Sequence, residues 1–423
     1  MQQAGGAGGR SCAIALRIWL SSAGVASAQV MRMLRENPDG VGVRVYGTNV
    51  DRDAPALSAC DVAEVEPRYV GDREYAQFAL DFCRRHAIDV MIPPRRLPAL
   101  AGHADAFAAV GTRLMCSPPA AIDVLTSKSR TYEAAREAGV PVPPWRLAAD
   151  AQGFRDAVAE VAATGERVCF KPAGEFSAFG FRVIEDGPLR LKDLLVAPAP
   201  VASAAAVADA LQQAADEGQK VPEFLVMPYL EGPEVSVDCL SAPGGDMIVG
   251  IARAKHGRYR HLLDDPSLVA IARRLVGHFG LAYLTNVQLR FLQGRPVLLE
   301  ANPRPSAGIF QTAFTGLNLP WAAVRLLLTG DTGPLPAPRL GGRVAVTEVV
   351  VDVDGPHGDS PFGPARQPAA AAHAESAVLA LAEPPAELVP GERVPAELLA
   401  TERVATELVP NGLLAEEPRA AAG

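Results

Sequence analysis

The chain is most informative at Asn286-Val287-Gln288-Leu289-Arg290 and Leu298-Leu299-Glu300-Ala301-Asn302-Pro303-Arg304. The first stretch lies on one strand and the second ends the next. Leu292 to Pro296, with Gly294, reads as a hairpin turn, which makes the strands antiparallel neighbours. Strand side chains alternate with a period of two, so Glu300 and Asn302 point the same way. Gln288 on the partner strand can face them, giving three oxygen ligands on one surface. Hard divalent cations such as Mg²⁺ take carboxylate and amide oxygens together with phosphates and water. One full charge among the ligands suits a site where ATP phosphates supply the remaining negative charge. On the residues alone, a polar exposed hairpin face accounts for the same pattern.

Upstream, Val226-Met227-Pro228-Tyr229-Leu230-Glu231-Gly232-Pro233-Glu234 joins two strands through a Gly-Pro turn. It reads as a hinge with free backbone groups beside an apolar slot. Glu234 at its exit can accept hydrogen bonds from ribose hydroxyls, or be a solvated edge residue. Earlier still, Val168-Cys169-Phe170-Lys171-Pro172 ends an apolar strand on a lysine. Such a lysine is awkward in a core unless an anion meets it. The loop after it carries Gly174, Ser177 and Gly180, whose amides can wrap phosphate oxygens. An ordinary surface turn with a snorkelling lysine is the plain alternative. Lys128 is one of only five lysines, with Lys171, Lys192, Lys220 and Lys255. It falls in the first half of a helix expected from Ile122 to Ala138, where a solvated face is the plain reading.

The first part of the chain alternates strands and helices. Ala13 to Leu20, Val41 to Tyr46 and Ile88 to Pro93 read as strands, with helices reaching Leu34 and running from Ala76 to His86. Such βαβ units imply a parallel sheet. The turn Ser21-Ser22-Ala23-Gly24 lacks GxGxxG, so dinucleotide binding is not expected there despite the Rossmann-like opening. In the second part, Asp150 is an N-cap candidate for a helix from Ala151 to Ala163. Arg167 to Lys171 and Phe181 to Ile184 read as strands, followed by an Ala/Pro-rich insert. Strands are expected at 224–229, 234–241, 246–254, 282–291 and 296–301, with a helix near 266–279. Helix Trp321 to Leu328 and strand Val344 to Val353 close this part. After Asp354 come Pro, Ala and Glu, with imperfect ten-residue repeats beginning at Pro385, Pro395 and Ala405. That composition reads as a disordered or weakly helical tail, or one that binds a protein partner.

The 423 residues carry a formal net charge of -8, which argues against nucleic acid as a partner. Six cysteines without a CxxC pair read as buried thiols in a reducing cytosol. The longest uncharged run, Pro305 to Val324, contains Gln311, Thr312, Thr315, Asn318 and Pro320, which would be costly in hydrocarbon. A cytoplasmic protein without a membrane span is the expectation.

In this order, Lys128, Phe170-Lys171-Pro172, Tyr229-Leu230-Glu231-Gly232-Pro233-Glu234, Asn286-Val287-Gln288 and Glu300-Ala301-Asn302-Pro303-Arg304 resemble the ATP-grasp superfamily. The motifs are similar to one nucleotide-binding half of carbamoyl-phosphate synthetase and to carboxylate–amine ligases. The resemblance implies an α/β domain over residues 1–115 and an α+β ATP-grasp domain of two subdomains over 116–353, which leaves the Pro/Ala/Glu-rich tail over 354–423. It implies ATP between the subdomains, with Lys128, Lys171 and Gly180 at its phosphates. Met227, Tyr229 and Leu230 would then contact adenine and Glu234 the ribose. Gln288, Glu300 and Asn302 would ligate Mg²⁺, or Mn²⁺, and Arg304 would face an acyl phosphate with Lys171. Two departures stand out. Glu175, Phe176 and Phe179 replace small residues in the loop after Lys171, and Met227 stands where many relatives carry an acidic residue.

The implied activity is ADP-forming ligation of a small carboxylic acid, such as an amino acid, to an amine. A kinase releasing a phosphorylated product and a non-catalytic ATP-binding partner protein are the alternatives. The intact metal set speaks against the last. One grasp unit without a glutaminase is not expected to complete carbamoyl-phosphate synthesis. Without an Ala-Met-Lys-Met acceptor, a self-contained biotin carboxylase is not expected either. Arg253 or Arg258, in a cationic stretch after a strand, is the candidate anchor for the acid's carboxylate. A solvated basic loop is the competing reading, and a homodimer is possible.

Overall fold

The computed structural model describes residues 15–24, 26–174, 179–187 and 200–347. The expected tail, its repeats and the middle of the loop after Lys171 lie outside them. Three sheets are present among the described residues.

The first sheet is wholly parallel, in the order β3-β2-β1-β4-β5. Its strands are β1 (Leu16–Leu20), β2 (Val43–Asn49), β3 (Val62–Val65), β4 (Val90–Ile92) and β5 (Arg113–Leu114). Central strands of a parallel sheet are covered on both faces, and Ile18-Trp19-Leu20 of β1 and Val90-Met91-Ile92 of β4 are accordingly apolar and buried. On one face Trp19, Tyr46 and Met91 pack with Tyr75, Phe82 and Cys83 of helix Asp72–His86. On the other, Ile18, Leu20, Val45 and Val90 share a core with Leu240, Ile251, Leu284 and Trp321. That shared core seats the parallel sheet on the third sheet.

At the carboxyl end of β1, where a dinucleotide phosphate would need donors, the chain places a carboxylate of its own. Glu66 is 3% exposed. It accepts hydrogen bonds from the Ser22 amide, from Ser22 Oγ at 2.9 Å, from Thr48 Oγ1 at 2.5 Å and from Tyr75 Oη at 3.3 Å. Both donors of Ser22 in this turn are therefore spent within the protein. Glu66→Ala would leave several buried donors without an acceptor, and a loss of about 3 kcal/mol or more is expected in denaturant unfolding. Glu66→Gln, which keeps one acceptor oxygen, should fall between. A parent-like midpoint for Glu66→Ala would show the carboxylate to be dispensable.

The second sheet runs β6-β10-β7-β8-β9, with β6 (Arg146–Ala148), β7 (Val168–Pro172), β8 (Arg182–Ile184), β9 (Val201–Ala202) and β10 (Phe224–Pro228). Its pairs are antiparallel except β8 with β9. Phe170, Val226 and Ala148 turn toward helices Ala151–Ala162 and Ala204–Asp216. Asp150 caps the first of these by accepting from the Gly153 amide at 2.7 Å. Cys169, Lys171 and Met227 alternate with that row and so face the other way.

The third sheet is antiparallel, in the order β15-β14-β11-β12-β13-β16. The strands are β11 (Glu231–Ser241), β12 (Met247–His256), β13 (Tyr259–Leu263), β14 (Tyr283–Leu292), β15 (Arg295–Asn302) and β16 (Arg343–Ala345). Val237, Val287, Ala252 and Ala301 share a core with Leu268, Ile271 and Leu275 of helix Pro266–Phe279. The opposite face is apolar at one end, beneath helix Leu319–Thr329, and polar at the other.

Three expectations are corrected. The single helix over 122–138 is two, Pro119–Leu125 and Lys128–Glu137, because Ser127 is extended (φ -112, ψ 122). The basic stretch after Arg253 is no loop. Arg253 through His256 complete β12, and Tyr259 through His261 begin β13. The closing strand starts at Arg343 and ends at Ala345, and residues from 348 onward lie outside the described range. The uncharged run of 305–324 folds into the short 3-10 segment Ile309–Thr315 and the start of helix Leu319–Thr329. No helix among the described residues is long and apolar enough to cross a membrane. The five described cysteines are free thiols, all buried except the partly exposed Cys116.

Candidate active site

Two rungs, separated by the core-facing rung of Val237, Val287 and Ala301, cross the polar end of the third sheet. In one, Asp238 of β11, Asn286 of β14 and Asn302 of β15 are cross-strand partners. In the other, Ser236, Gln288 and Glu300 are partners, and Arg253 of β12 lies beyond Ser236. Directly opposed residues share a face, so Gln288, Glu300 and Asn302 converge.

A β-bulge makes this possible. Counting back from the hairpin, Leu289 pairs with Leu298, yet Gln288 pairs with Glu300. Leu299 is the extra residue. Without it Glu300 would oppose Val287 and turn into the apolar core with Val287's side chain. The bulge is held from outside: Tyr132 Oη donates to the Leu299 carbonyl at 3.0 Å. Tyr132 belongs to helix Lys128–Glu137, so the same contact sets that helix beside Glu300.

Gln288 spends its amide nitrogen on Glu234 Oε1 at 3.3 Å, which leaves its carbonyl oxygen available. The donor set is thus one carboxylate and neutral amide oxygens. Among the described residues no trio of histidine, cysteine and carboxylate side chains is placed to hold a metal. The set instead fits a hard cation that shares phosphate oxygens.

The opposing wall carries two buried lysines, Lys128 at 9% and Lys171 at 8% exposure. Burial pushes the Lys171 ammonium down to about 8; the Lys128 charge acts the same way and the Glu300 carboxylate opposes it. Lys128 and Glu300 are therefore each within electrostatic reach of Lys171. Beside Lys171, Gly180 (φ +67) lies against Pro172, and a Cβ there would meet the Pro172 ring at 2.7 Å. That contact requires glycine and fixes where the loop returns.

At the hinge, Met227 and Leu230 are buried and Tyr229 is partly buried. The expected free backbone is reduced, because the Tyr229 amide donates to the Arg167 carbonyl at 2.6 Å. The Tyr229 ring lies under the Arg167 guanidinium at 4.8 Å.

The arginines separate. Arg253 is 4% exposed and pairs with the fully buried Asp238 at 2.6 Å. It also donates to Gln311 Oε1 at 2.6 Å and Ser306 Oγ at 3.1 Å. Gly308 leaves room for it, since a Cβ there would meet Nη1 at 2.8 Å. This guanidinium clamps the segment after β15. Arg258 is exposed on the turn between β12 and β13, and the structure does not bring it to Arg253. Arg304 is partly buried; burial lowers its guanidinium, Glu300 opposes that shift, and the Arg95 charge adds to it.

Asp238, Ser236 and Asn286 were not among the expected site residues. Their signal was present: Ser236 and Asp238 alternate with Val235, Val237 and Cys239 on a strand whose other face is core.

Residues 220–350 match the family described as ATP-grasp in the biosynthetic pathway with Ter operon. Over that stretch the chain is similar to ATP-grasp proteins. Residues 18–115 match the PylC-like N-terminal domain, in line with the parallel sheet preceding the ATP-grasp region. A biotin carboxylase from Campylobacter jejuni, solved with a β,γ-ATP ligand, superposes with TM-score 0.56 at 17% identity. The match covers 77% of this chain and 74% of that one. An ADP complex of N5-carboxyaminoimidazole ribonucleotide synthetase also superposes at 0.56, with 15% identity, covering 78% and 80%. Identities this low show the fold. The protein y4rH of Sinorhizobium fredii (strain NBRC 101917 / NGR234) is 26% identical over 214 residues, 46% of this chain. This chain spans 40% of that curated relative's length.

Proposed function

We propose that this chain is an ATP- and Mg²⁺-dependent, ADP-forming ligase that activates a small carboxylic acid and joins it to an amine. The convergence of Gln288, Glu300 and Asn302 opposite two buried lysines carries this reading. A carboxylate is a poor electrophile, and transfer of the γ-phosphoryl group makes it an acyl phosphate that an amine can attack. Bound Mg²⁺ would disperse charge on the phosphate oxygens. Lys128 and Lys171 neutralise the same phosphates from the opposite wall. Pro228 has no N–H and the Tyr229 amide is taken, so the Leu230 amide is the hinge donor for adenine. Glu234 keeps one oxygen for a ribose hydroxyl after binding Gln288.

Arg304 faces the acid and its phosphorylated form, with Arg95 from the loop after β4 beside it. With its charge matched by Asp238, Arg253 positions the 306–311 segment and does not anchor the acid.

ADP release across a panel of acids, starting with amino acids, tests the proposal with and without amines. Full turnover that needs both substrates is expected. Turnover with an acid alone would assign a kinase, and none with any pair would remove the catalytic reading.

A further inference from the structure

Asn286 is 1% exposed on the polar face of the third sheet. It stands directly opposite Asn302 and two residues from Gln288. Its amide nitrogen faces two acceptors, Asp238 Oδ1 at 3.1 Å and the Val237 carbonyl at 3.3 Å. An amide oxygen turned to that side would meet only other oxygens, so the two acceptors decide which way the amide lies. The Asn286 carbonyl oxygen consequently points away from them, buried and without a hydrogen-bond partner. A buried acceptor left unmet costs about 1–3 kcal/mol, a cost that a positive ligand in the cleft would offset.

We infer that Asn286 Oδ1 is a further oxygen ligand of the cation held by Gln288, Glu300 and Asn302, and that Asp238 is the positioning residue that aims it. The inference rests on the site reading proposed above. Asp238 can do this because Arg253 fixes its Oδ2 at 2.6 Å, which leaves Oδ1 facing the Asn286 amide. Partners behind a ligand commonly fix its orientation in this way, and losing them weakens metal binding about 10–100-fold.

The test uses the full chain with Mn²⁺ and ADP, reading free Mn²⁺ by electron paramagnetic resonance. The parent should bind Mn²⁺ in the ADP complex; a parent that binds none would overturn the site reading and this inference with it. Given parent binding, Asn286→Ala should weaken Mn²⁺ about tenfold or more while ADP affinity without metal stays unchanged. Asp238→Asn should act in the same direction, because an amide at 238 lets the Asn286 side chain turn over. Asn286→Cys, closer in volume, decides the matter if Asn286→Ala does not fold. It should gain a thiolate–Cd²⁺ absorption band that the parent lacks. Folded variants that bind Mn²⁺ like the parent, with no such band, would overturn the inference and leave the ligase reading standing. So would an effect confined to the Michaelis constant of the amine.

Discussion

Glu300→Gln is expected to lower the rate of ADP formation about 10²- to 10³-fold, the usual cost of losing one preorganised electrostatic contact to a transition state. Glu300 is the one carboxylate among the expected metal ligands, and its charge acts on both Lys171 and Arg304. Glutamine keeps the volume and one oxygen, so the β14–β15 pairing and the Leu299 bulge should persist. The loss should therefore appear in turnover and Mn²⁺ affinity and not in the unfolding midpoint. Parent-like turnover together with parent-like Mn²⁺ binding would take Glu300 out of the metal site.

The second large effect is at Lys171. Lys171→Met should lower turnover about 10²-fold or more, by removing a cation from phosphates in a water-poor cleft. It should also make the empty protein more stable. The lysine is pushed down to about 8 in the fold from its ordinary 10.5. Between those values the unfolded chain holds a proton that the folded chain has released, so stability rises with pH across that window and is level below it. A charged Lys171 is thus a burden to the empty fold that bound phosphates relieve. Nucleotide affinity should be flat below pH 8 and fall above it, with proton uptake on binding seen by calorimetry in buffers of different ionisation enthalpy. Lys171→Met should show neither. A parent whose affinity does not change between pH 7 and 10 would place Lys171 away from the phosphates.

Much of this was legible along the chain. The alternation of polar and apolar residues in β14 and β15, and the apolar strand ending on Lys171, carried both the fold and most of the candidate ligands. Asp150 was readable as a cap, and helix Pro266–Phe279 from its period. Lys128 was less so: as part of one long helix it belonged on a solvated face, and only the break at Ser127 makes it a buried residue at a helix start. Arg253 was legible as a strand residue but not as half of a buried ion pair. A run of basic residues looks like a solvated loop unless the buried carboxylate that matches one of them, here Asp238 on a neighbouring strand, is known.

Periodicity and residue type, both local properties, were enough to determine the parallel character of the first sheet, the long strands of the third and the presence of oxygen donors near residue 300, though not short strands such as β3, β6 and β9 or helix Ala204–Asp216. Registry was not determined either. Counted from the hairpin, Glu300 falls on the wrong face, and it reaches Gln288 only because Leu299 bulges out and its carbonyl is caught by Tyr132. Which way Asn286 lies was likewise settled by Asp238 and Val237 on the adjoining strand. Bulges and amide orientation depend on partners far along the chain, so they are decided only when the sheets assemble.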